Sequence, residues 1–444
     1  MVRQLAGLVT SARVRRFGEV VRTEGWRPAF RAARRHAGLA LAGYTPSVVA
    51  PAPAASPEPP APPPTPMARL WSDLARSGAF HVTAPAVARR RRTVALIGDL
   101  NLPQCRKYRV EQMDEVWAMA GAAYRFSHYE DVPRALDVLQ DATCLMLYRL
   151  LKCDLASTYL YEARRLGLPV IYDIDDPLFS VPAYETYANG ACLPPDLVRH
   201  FVAEAPRYLD VMMQADALTL STAGLADHAR LFLPRPARVR RNFADRETLS
   251  AGLIARGRRR RRDDLFTCVF ASGSMGHEAD FAVLSDDLSA FLSAAPGRRL
   301  EILGRFDARH LPDPVRARTV IRPFCDYAGY LKRLASADCA LIPLADDVFN
   351  RCKSGVRAID ASAVGVPTVT GDIGEAGMLV DHGTTGMIVS PGPGGWVEAL
   401  ERLAADPGGT GRMGDAARAA VEADWSARLD APVLDRDIVR EVIS

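Results

Sequence analysis

The chain has 444 residues, of which 48% are hydrophobic, and its formal net charge is +4. A chain of this length can bury two substantial cores, so two domains with flanking tails are expected. Its eight cysteines include no Cys-x-x-Cys pair, which argues against zinc and against a disulfide framework and fits a reducing cytoplasm. No apolar run approaches the roughly 18 residues of a membrane helix, and no signal-peptide core is present. A cytoplasmic protein is therefore expected.

The first part of the chain is rich in arginine, and the arginines are interleaved with apolar side chains such as Trp26 and Phe30. This pattern predicts a basic amphipathic helical region over residues 1–44. One interpretation is peripheral contact with an anionic membrane at its inner face, where lipid-linked acceptors are found; docking on a partner domain and a solvated helix pair are the alternatives. The arginine runs 89–92 and 258–262 lack interleaved aromatics, so we interpret them as linker charge and predict no nucleic-acid partner.

Residues 45–92 are predicted to be a Pro/Ala-rich linker with a weak helix, because a proline-dense chain forms neither a helix nor a central strand. A strand at 93–98 opens a first α/β domain, 93–243, in which apolar strands alternate with helices. This alternation predicts a parallel sheet with helices on both faces. Arg106 and Arg109 follow the first strand, and the carboxyl end of such a strand is a usual ligand position.

Three carboxylates, Asp173, Asp175 and Asp176, end a later apolar strand of this domain. A metal-binding Asp-x-Asp is one interpretation, but the two Rossmann-like units of the chain argue against it. Carboxylates as close as Asp175 and Asp176 are expected to include one with a raised pKa, which suits an acid/base role. The alternative is that Asp173 and Asp176 cap the following loop and helix.

Residues 244–263 are rich in Arg and Gly and predict a mobile interdomain linker. The second domain, 264–425, opens with a strand and a turn of small residues that includes Gly273 and Ser274. Small residues at such a turn let backbone N–H groups approach a phosphate. The turn matches neither Gly-x-Gly-x-x-Gly nor Gly-x-Ser-x-Gly, so neither a dinucleotide site nor an acyl-transfer site is indicated. A C-terminal helix is predicted over 426–444.

The most informative segment is a short predicted helix, 355–364, that follows a basic cluster. Lys353, Ser354 and Arg357 are expected at its N-terminus, where backbone N–H groups and the helix dipole favour a diphosphate. Asp360, about two turns further on, can accept hydrogen bonds from a ribose diol. The alternative is an ordinary surface helix that enters a sheet.

This segment carries a Lys-Ser…Lys-x-x-Glu…Gly-x-Pro-x-Val signature as Lys353-Ser354, Arg357, Asp360 and Gly365-Val366-Pro367. In this it resembles the retaining GT-B glycosyltransferases of the family 4-like group (glycosyl transferases group 1). The resemblance covers about residues 93–425. It implies two Rossmann-like domains facing each other across a cleft, with a nucleotide-sugar donor in the second domain and an acceptor in the first.

The resemblance also implies roles for single residues. Lys353 and Arg357 would neutralise the donor phosphates, Asp360 would hold the ribose, and an aromatic residue would stack on the base. Two positions depart from the family: Cys352 stands where many relatives have a first Glu, and Asp360 is shorter than the family's second Glu. The candidate residues are Asp175 and Asp176 for catalysis, Arg106 and Arg109 for the acceptor, and Gly273, Ser274, His277, Phe324, Asn350, Lys353, Ser354, Arg357 and Asp360 for the donor.

The sequence therefore predicts a glycosyltransferase of the hexosyltransferase type, retaining by resemblance, that uses no metal or other cofactor. It would move a sugar from a nucleoside-diphosphate sugar to a glycan or lipid-linked acceptor in cell-surface polysaccharide synthesis. One alternative is a non-catalytic GT-B-like module that binds a glycan or scaffolds polysaccharide assembly, which the departures at Cys352 and Asp360 support. Another is an epimerase of the nucleotide sugar, for which the sequence offers no dedicated pair of acids.

Overall fold

The structure, a computed structural model, describes residues 91–257, 265–273 and 276–428, isolated positions between 14 and 34, and residues 437 and 438. The chain divides into two compact units, Met1–Thr83 and Ala84–Ser444. In the first unit every described position, from Val14 to Arg34, is helical. The predicted linker 45–92 lies outside the described residues except for its last two positions.

The second unit contains two lobes, each built on one parallel sheet. The strands of the first lobe (residues 91–243) are β1 Thr93–Gly98, β2 Ala123–His128, β3 Cys144–Tyr148, β4 Val170–Ile174, β5 Ala217–Leu220 and β6 Ala237–Val239. Their order in the sheet is β2-β1-β3-β4-β5-β6, and all pairs are parallel. Strands β1, β3 and β4 are buried along their whole length, as expected where helices cover both faces of a sheet.

Helices connect these strands, and some of them start at a side-chain cap. They are α1 Pro103–Arg106, α2 Met113–Met119, α3 Val132–Gln140, α4 Asp154–Arg165, α5 Val181–Thr186, α6 Pro195–Met212 and α7 Ala223–Arg230, with a π-helical turn Lys107–Glu111 and a 3-10 helix Ala188–Cys192. The hydroxyl of Thr222 accepts a hydrogen bond from the backbone N–H of Leu225 at 3.0 Å and so begins α7 directly after β5.

The strands of the second lobe (residues 246–424) are β7 Phe266–Ser272, β8 Arg298–Gly304, β9 Thr319–Arg322, β10 Cys339–Ile342, β11 Thr368–Gly371 and β12 Gly386–Val389. Their order is β12-β11-β10-β7-β8-β9, again all parallel. The first strand of the lobe is therefore central. This is the order of doubly wound nucleotide-binding sheets, in which ligands bind beyond the carboxyl ends of the strands.

The helices of the second lobe cover both faces of this sheet. They are α8 Arg246–Gly257, α9 Glu278–Ala282, α10 Ser285–Ala294, α11 Asp313–Arg316, α12 Tyr327–Leu334, α13 Val348–Arg351, α14 Val356–Ala363, α15 Gly374–Leu379, α16 Gly395–Ala405 and α17 Pro407–Asp424, with a 3-10 helix Ala308–His310. One apolar core includes Phe270, Ile302 and Leu341, and the core on the opposite face includes Val269 and Leu303. Alternate residues of β7 thus point to opposite cores.

The prediction of a mobile linker over 244–263 is wrong for residues 246–257, because these residues form α8. Asp245 begins this helix by accepting hydrogen bonds from the backbone N–H and the hydroxyl of Thr248, at 2.8 and 2.7 Å. Ala255 is buried in the second lobe together with Leu331. The helix is therefore part of the second lobe, and we call residues 240–245, where the chain crosses between the lobes, the hinge.

The chain crosses back towards the first lobe after α17. The backbone N–H of Ala244 donates a 2.7 Å hydrogen bond to the carbonyl of Trp425, so the two crossings lie side by side. Ala427 and Ile438 are buried in the first-lobe core with Val94. Most of the predicted C-terminal helix over 426–444 lies outside the described residues. No helix in the described part of the chain is long and apolar enough to cross a membrane.

Candidate functional site

The carboxyl ends of the two sheets meet, and hydrogen bonds join them. The hydroxyl of Thr222, after β5, donates to the carbonyl of Cys352 in the second lobe at 2.9 Å. The backbone N–H of Ala188 donates to the carboxylate of Asp347, after β10, at 3.1 Å. The segments that follow the carboxyl ends of the two sheets therefore form opposite walls of one cleft.

Asp175 and Asp176 lie directly beyond β4 in different surroundings. Asp175 accepts hydrogen bonds from the Tyr148 hydroxyl at 3.0 Å and from Nη1 of Arg149 at 3.3 Å. Burial and the neighbouring charge of Asp175 raise the pKa of Asp176 to about 6. The next helix, α5, is capped by Ser180. Asp176 thus does not cap this helix, and its raised pKa suits proton transfer near neutral pH.

Arg149 is a cleft residue that sequence reasoning missed. Among the described residues it is the one non-glycine with a positive φ, 52°, a conformation that L side chains rarely adopt. Its Nη1 also donates to the sulfur of Cys105 at 3.1 Å. The guanidinium therefore bridges helix α1 and the carboxylate of Asp175. No pattern in the sequence signals this, because any residue type can follow a strand.

The prediction that Arg109 binds the acceptor is wrong, because its side chain is completely buried. Its Nη2 and Nε donate to the two oxygens of Asp173 at 2.7 and 3.1 Å. Arg240 donates to the same carboxylate at 2.6 and 2.7 Å, and the Thr219 hydroxyl donates at 2.6 Å. Burial alone would raise the pKa of Asp173, but the two arginines lower it. Asp173 therefore binds two buried arginines inside the lobe and does not cap a loop.

Arg106, the other predicted acceptor residue, is about half exposed. Its Nε donates to Glu111 at 2.7 Å, and its guanidinium lies over the ring of Phe126. These contacts hold it at the surface of the first lobe. A role for Arg106 in acceptor binding stays a prediction.

On the donor side, Asp280 joins three of the predicted residues. Its carboxylate accepts a hydrogen bond from Nδ2 of the buried Asn350 at 2.8 Å and lies 3.3 Å from Nδ1 of His277. Nζ of Lys353 is 3.6 Å from the same carboxylate and 3.1 Å from the hydroxyl of Tyr187 in the first lobe. Lys353 therefore contacts the first-lobe wall of the cleft directly.

Charge and burial determine the protonation states of His277 and Asp280. Burial lowers the pKa of His277 to about 4, and the charge of Lys353 also lowers it, so the imidazole is neutral at neutral pH. Burial would raise the pKa of Asp280, but the contact with His277 and the charge of Lys353 hold it well below the ordinary value. Asp280 was not predicted. The signal for it was its position three residues after His277, which places both at the start of α9.

Arg357 belongs to α14, and its side chain lies beside the end of the central strand β7. Its Nη1 is 3.4 Å from the carbonyl of Ala271, and its guanidinium lies over the ring of Phe270. Gly273 directly follows the same strand, so this glycine and the basic start of α14 are neighbours. Ser274 lies outside the described residues, and its predicted contact with the donor stays a prediction.

Asp360 is buried and already accepts hydrogen bonds on both carboxylate oxygens. Tyr108 of the first lobe donates to Oδ2 at 2.6 Å, and Tyr327 donates to Oδ1 at 2.7 Å. Burial raises the pKa of Asp360 to about 6 although these hydroxyls, with that of Tyr330, lower it. Hydroxyl groups are thus the partners of this carboxylate in the structure, and a role for Asp360 in ribose binding stays a prediction.

Two further predicted positions differ in exposure. Phe324 follows β9 and is about half exposed, so it has an accessible face for stacking. Cys352, at the place of the family's first Glu, is buried and its sulfur approaches the carbonyl of Gly224 at 3.8 Å. Position 352 therefore packs against the first lobe.

Glu375 is a second buried acid that sequence reasoning did not assign to the site. Its Oε2 accepts a hydrogen bond from the backbone N–H of Gly355 at 3.1 Å, directly before α14. Burial raises its pKa to about 7 despite that hydrogen bond and the charge of Arg241. A lone acid in a glycine-rich segment gives no sign of such burial. In the described ranges no group of three or more His, Cys, Asp or Glu side chains is arranged to hold a metal ion.

Two facing lobes, each with a doubly wound parallel sheet, and polar residues at the facing carboxyl ends define the GT-B fold, which confirms the predicted fold class. Residues 267–406 match the family model described as Glycosyl transferases group 1. Residues 267–406 therefore match a group 1 glycosyl transferase domain, which confirms the predicted resemblance to glycosyl transferases group 1. The retaining, family 4-like assignment stays a prediction.

Related proteins agree with this assignment. The chain is 28% identical over 240 residues to the D-inositol 3-phosphate glycosyltransferase of Arthrobacter sp. (strain FB24), which is 52% of this chain and 49% of that protein. It is 31% identical over 137 residues to the glycogen synthase of Mycobacterium tuberculosis (strain ATCC 25618 / H37Rv), 29% of this chain and 32% of that protein. The chain thus matches about half of the first relative's length and about a third of the second's.

Among solved structures, sucrose-phosphate synthase from Thermosynechococcus elongatus is similar with a TM-score of 0.50 and 16% identity. The match covers 76% of this chain and 95% of that one. At this identity the likeness shows the fold alone.

Proposed function

We propose that the protein transfers a sugar from a nucleoside-diphosphate sugar to a glycan or lipid-linked acceptor, in cell-surface polysaccharide synthesis. The observation that carries this proposal is the convergence of Lys353 and Arg357 on the start of α14, opposite Asp176 in the first lobe. Nζ of Lys353 lies 3.1 Å from the hydroxyl of Tyr187 in the first lobe, and the charge of Lys353 opposes the rise in the pKa of Asp176. The basic side chains of the second lobe and the carboxylate of Asp176 therefore face the same cleft.

The donor diphosphate would lie between the basic side chains and the turn that follows β7. Lys353 and Arg357 supply positive charge, and the backbone N–H groups at the start of α14 and in the turn supply hydrogen-bond donors. Charge that develops on the leaving diphosphate is stabilised there. Such preorganised electrostatic stabilisation is usually the largest contribution to catalysis of a transfer of this kind.

The acceptor would bind against the first lobe. Asp175 is held by Tyr148 and Arg149, whereas Asp176 has a pKa of about 6. Asp176 is therefore the better candidate to take up the proton of an acceptor hydroxyl. Retention of anomeric configuration follows from the family resemblance. Closure of the lobes about the hinge would exclude water and so prevent hydrolysis of the donor.

The buried contact of Cys352 favours a second candidate, a non-catalytic module that binds a glycan or scaffolds polysaccharide assembly. A buried thiol that packs against the first lobe cannot replace a carboxylate that grips the donor sugar. Burial also raises the pKa of Cys352 to about 12, so it stays protonated and uncharged. Transfer of sugar to an acceptor separates the enzyme from this module.

The N-terminal unit supports peripheral membrane contact. Trp26 and Phe30 are 65% and 62% exposed, and they line one surface cavity together with Arg27 and Arg34. Aromatic and cationic side chains on one helical surface suit the headgroup region of an anionic bilayer. We expect the protein to sediment with vesicles that contain phosphatidylglycerol and not with phosphatidylcholine vesicles, and Arg27→Gln with Arg34→Gln to weaken this binding.

Calorimetric titration with UDP and with GDP, each with and without added Mg²⁺ and with EDTA, tests the donor site. We expect one of the two to bind without metal and Lys353→Ala to lose that binding. Lys332→Ala is a matched control, because Lys332 is an exposed lysine on α12. Absence of binding by either nucleotide would refute the enzyme and favour the non-catalytic module.

A further inference from the structure

We propose that Asn242 is a positioning residue that holds the donor loop (residues 353–355) through Ser354, and that the buried Arg109 fixes the orientation of the Asn242 amide. This inference rests on the proposed donor site and adds Asn242, which is not among the predicted site residues. Asn242 lies in the hinge, between β6 and α8. It therefore connects the movement of the lobes with the start of α14.

The contact between Asn242 and Ser354 lies next to a cluster of charged side chains that are buried in the first lobe. Asp173, Arg109 and Arg240 are all 0% exposed, and both guanidinium groups bind the single carboxylate. Nη1 of Arg240 has no hydrogen-bond partner among the described residues. Removal of Asp173 would leave two buried guanidinium charges uncompensated, which costs far more than loss of a surface pair. The side chains are therefore held in one arrangement.

Arg109 determines which way the amide of Asn242 points. Its Nη1 donates to the carbonyl of Arg240 at 2.5 Å and to Oδ1 of Asn242 at 3.2 Å. A guanidinium can only donate, so the group that faces it must be the amide oxygen. The NH₂ group of Asn242 then faces the second lobe, where Nδ2 donates to Oγ of Ser354 at 2.8 Å.

The donor loop is fixed on its other side within the second lobe. The N–H of Gly355 donates to Glu375 at 3.1 Å, and the backbone N–H of Glu375 donates to the carbonyl of Lys353 at 3.1 Å. The hydrogen bond from Asn242 adds a contact from the hinge to a loop whose backbone is held within its own lobe. A change of hinge geometry therefore reaches Lys353 and the N-terminus of α14 through Ser354.

A double-mutant cycle on nucleotide affinity tests the coupling. We expect Asn242→Ala and Ser354→Ala each to weaken binding of UDP or GDP roughly five- to tenfold, the effect of about one hydrogen bond. The double variant should bind no more weakly than the weaker single variant, because both changes break the same contact. Ser354→Thr keeps the hydroxyl and should retain affinity. Multiplication of the two single effects in the double variant would overturn the proposal.

Hydrogen exchange separates this proposal from the donor site itself. In the protein without nucleotide, we expect Asn242→Ala to speed exchange of the Gly355 amide severalfold, whereas the exposed Asn101→Ala leaves it unchanged. Unchanged exchange in Asn242→Ala would refute the positioning role even if nucleotide binds. If neither nucleotide binds to the unaltered protein but exchange responds as expected, the donor site is refuted and the hinge contact stands.

Discussion

The hydroxyl of Tyr108 donates a 2.6 Å hydrogen bond to the carboxylate of Asp360, although 252 residues separate them. Tyr108 belongs to the π-helical turn of the first lobe, and such turns are rare in regular helices and often occur at functional sites. Tyr327 binds the other oxygen of Asp360 from within the second lobe. The carboxylate therefore has hydroxyl partners from both lobes.

Tyr108→Phe should loosen the contact between the lobes, whereas Tyr327→Phe should not. Both variants remove a hydroxyl from Asp360, but only the first breaks a bond that crosses the cleft. A hydrogen bond to a charged group contributes about 1.5–3 kcal/mol. We therefore expect a larger radius of gyration by small-angle X-ray scattering for Tyr108→Phe at pH 7.5, with no change for Tyr327→Phe. Equal scattering of both variants would contradict this.

The free energy of unfolding should fall as pH rises from about 4.5 to 7, because burial raises the pKa of Glu375 from 4.5 to about 7. In this interval folded Glu375 keeps its proton, which an unfolded glutamate has already lost. The stabilisation is thus full below the unfolded pKa and disappears as pH passes the folded pKa. One such group accounts for about 2–3 kcal/mol.

Glu375→Gln tests this assignment, since the amide cannot titrate. Urea unfolding at pH 4.5, 5.5, 6.5 and 7.5 should give a flatter profile for the variant than for the unaltered protein. Glu185→Gln, at an exposed position of α5, should leave the profile unchanged. A profile of Glu375→Gln as steep as the original would show that other groups cause the slope.

The alternation of strands and helices allowed the two sheets to be predicted, because buried parallel strands such as β1 and β3 are continuous apolar runs. The short helix from Val356 to Ala363 was also predictable from its apolar spacing and its glycine–proline end. Helix α8 was missed because an Arg- and Gly-containing segment has a weak amphipathic pattern. Its burial against Leu331 depends on tertiary packing, which local sequence does not report.

The candidate site was predictable only where function follows a local pattern. Lys353, Arg357 and Asp360 come from one segment, so their spacing indicates a common site. The contact of Tyr108 with Asp360 depends on how the lobes pack. Arg109 was misassigned because an arginine after a strand usually faces solvent, whereas here Asp173 from another strand compensates its charge inside the lobe.

Replacement of Arg109 should destabilise the protein far more than replacement of Arg106, three residues earlier. Arg109→Ala removes the buried hydrogen bonds of Arg109 to Asp173, Arg240 and Asn242. It also leaves a cavity, so we expect a loss of about 3–5 kcal/mol. Arg106→Ala removes a half-exposed pair with Glu111, which contributes about 0–1 kcal/mol. Urea unfolding of both variants measures the difference. Similar losses for the two would contradict the buried network.

Arg149→Ala should be less stable than Arg149→Gly, the reverse of the usual order. Both variants lose the contacts with Asp175 and Cys105, but only alanine retains a side chain at a φ of 52°. Glycine adopts this conformation without strain, and the difference amounts to about 1 kcal/mol. Lys332 on α12 is the matched control, because glycine in a helix costs about 1 kcal/mol relative to alanine. Urea unfolding of the four variants should therefore give opposite orders at the two positions, and the same order at both would show that Arg149 is not strained.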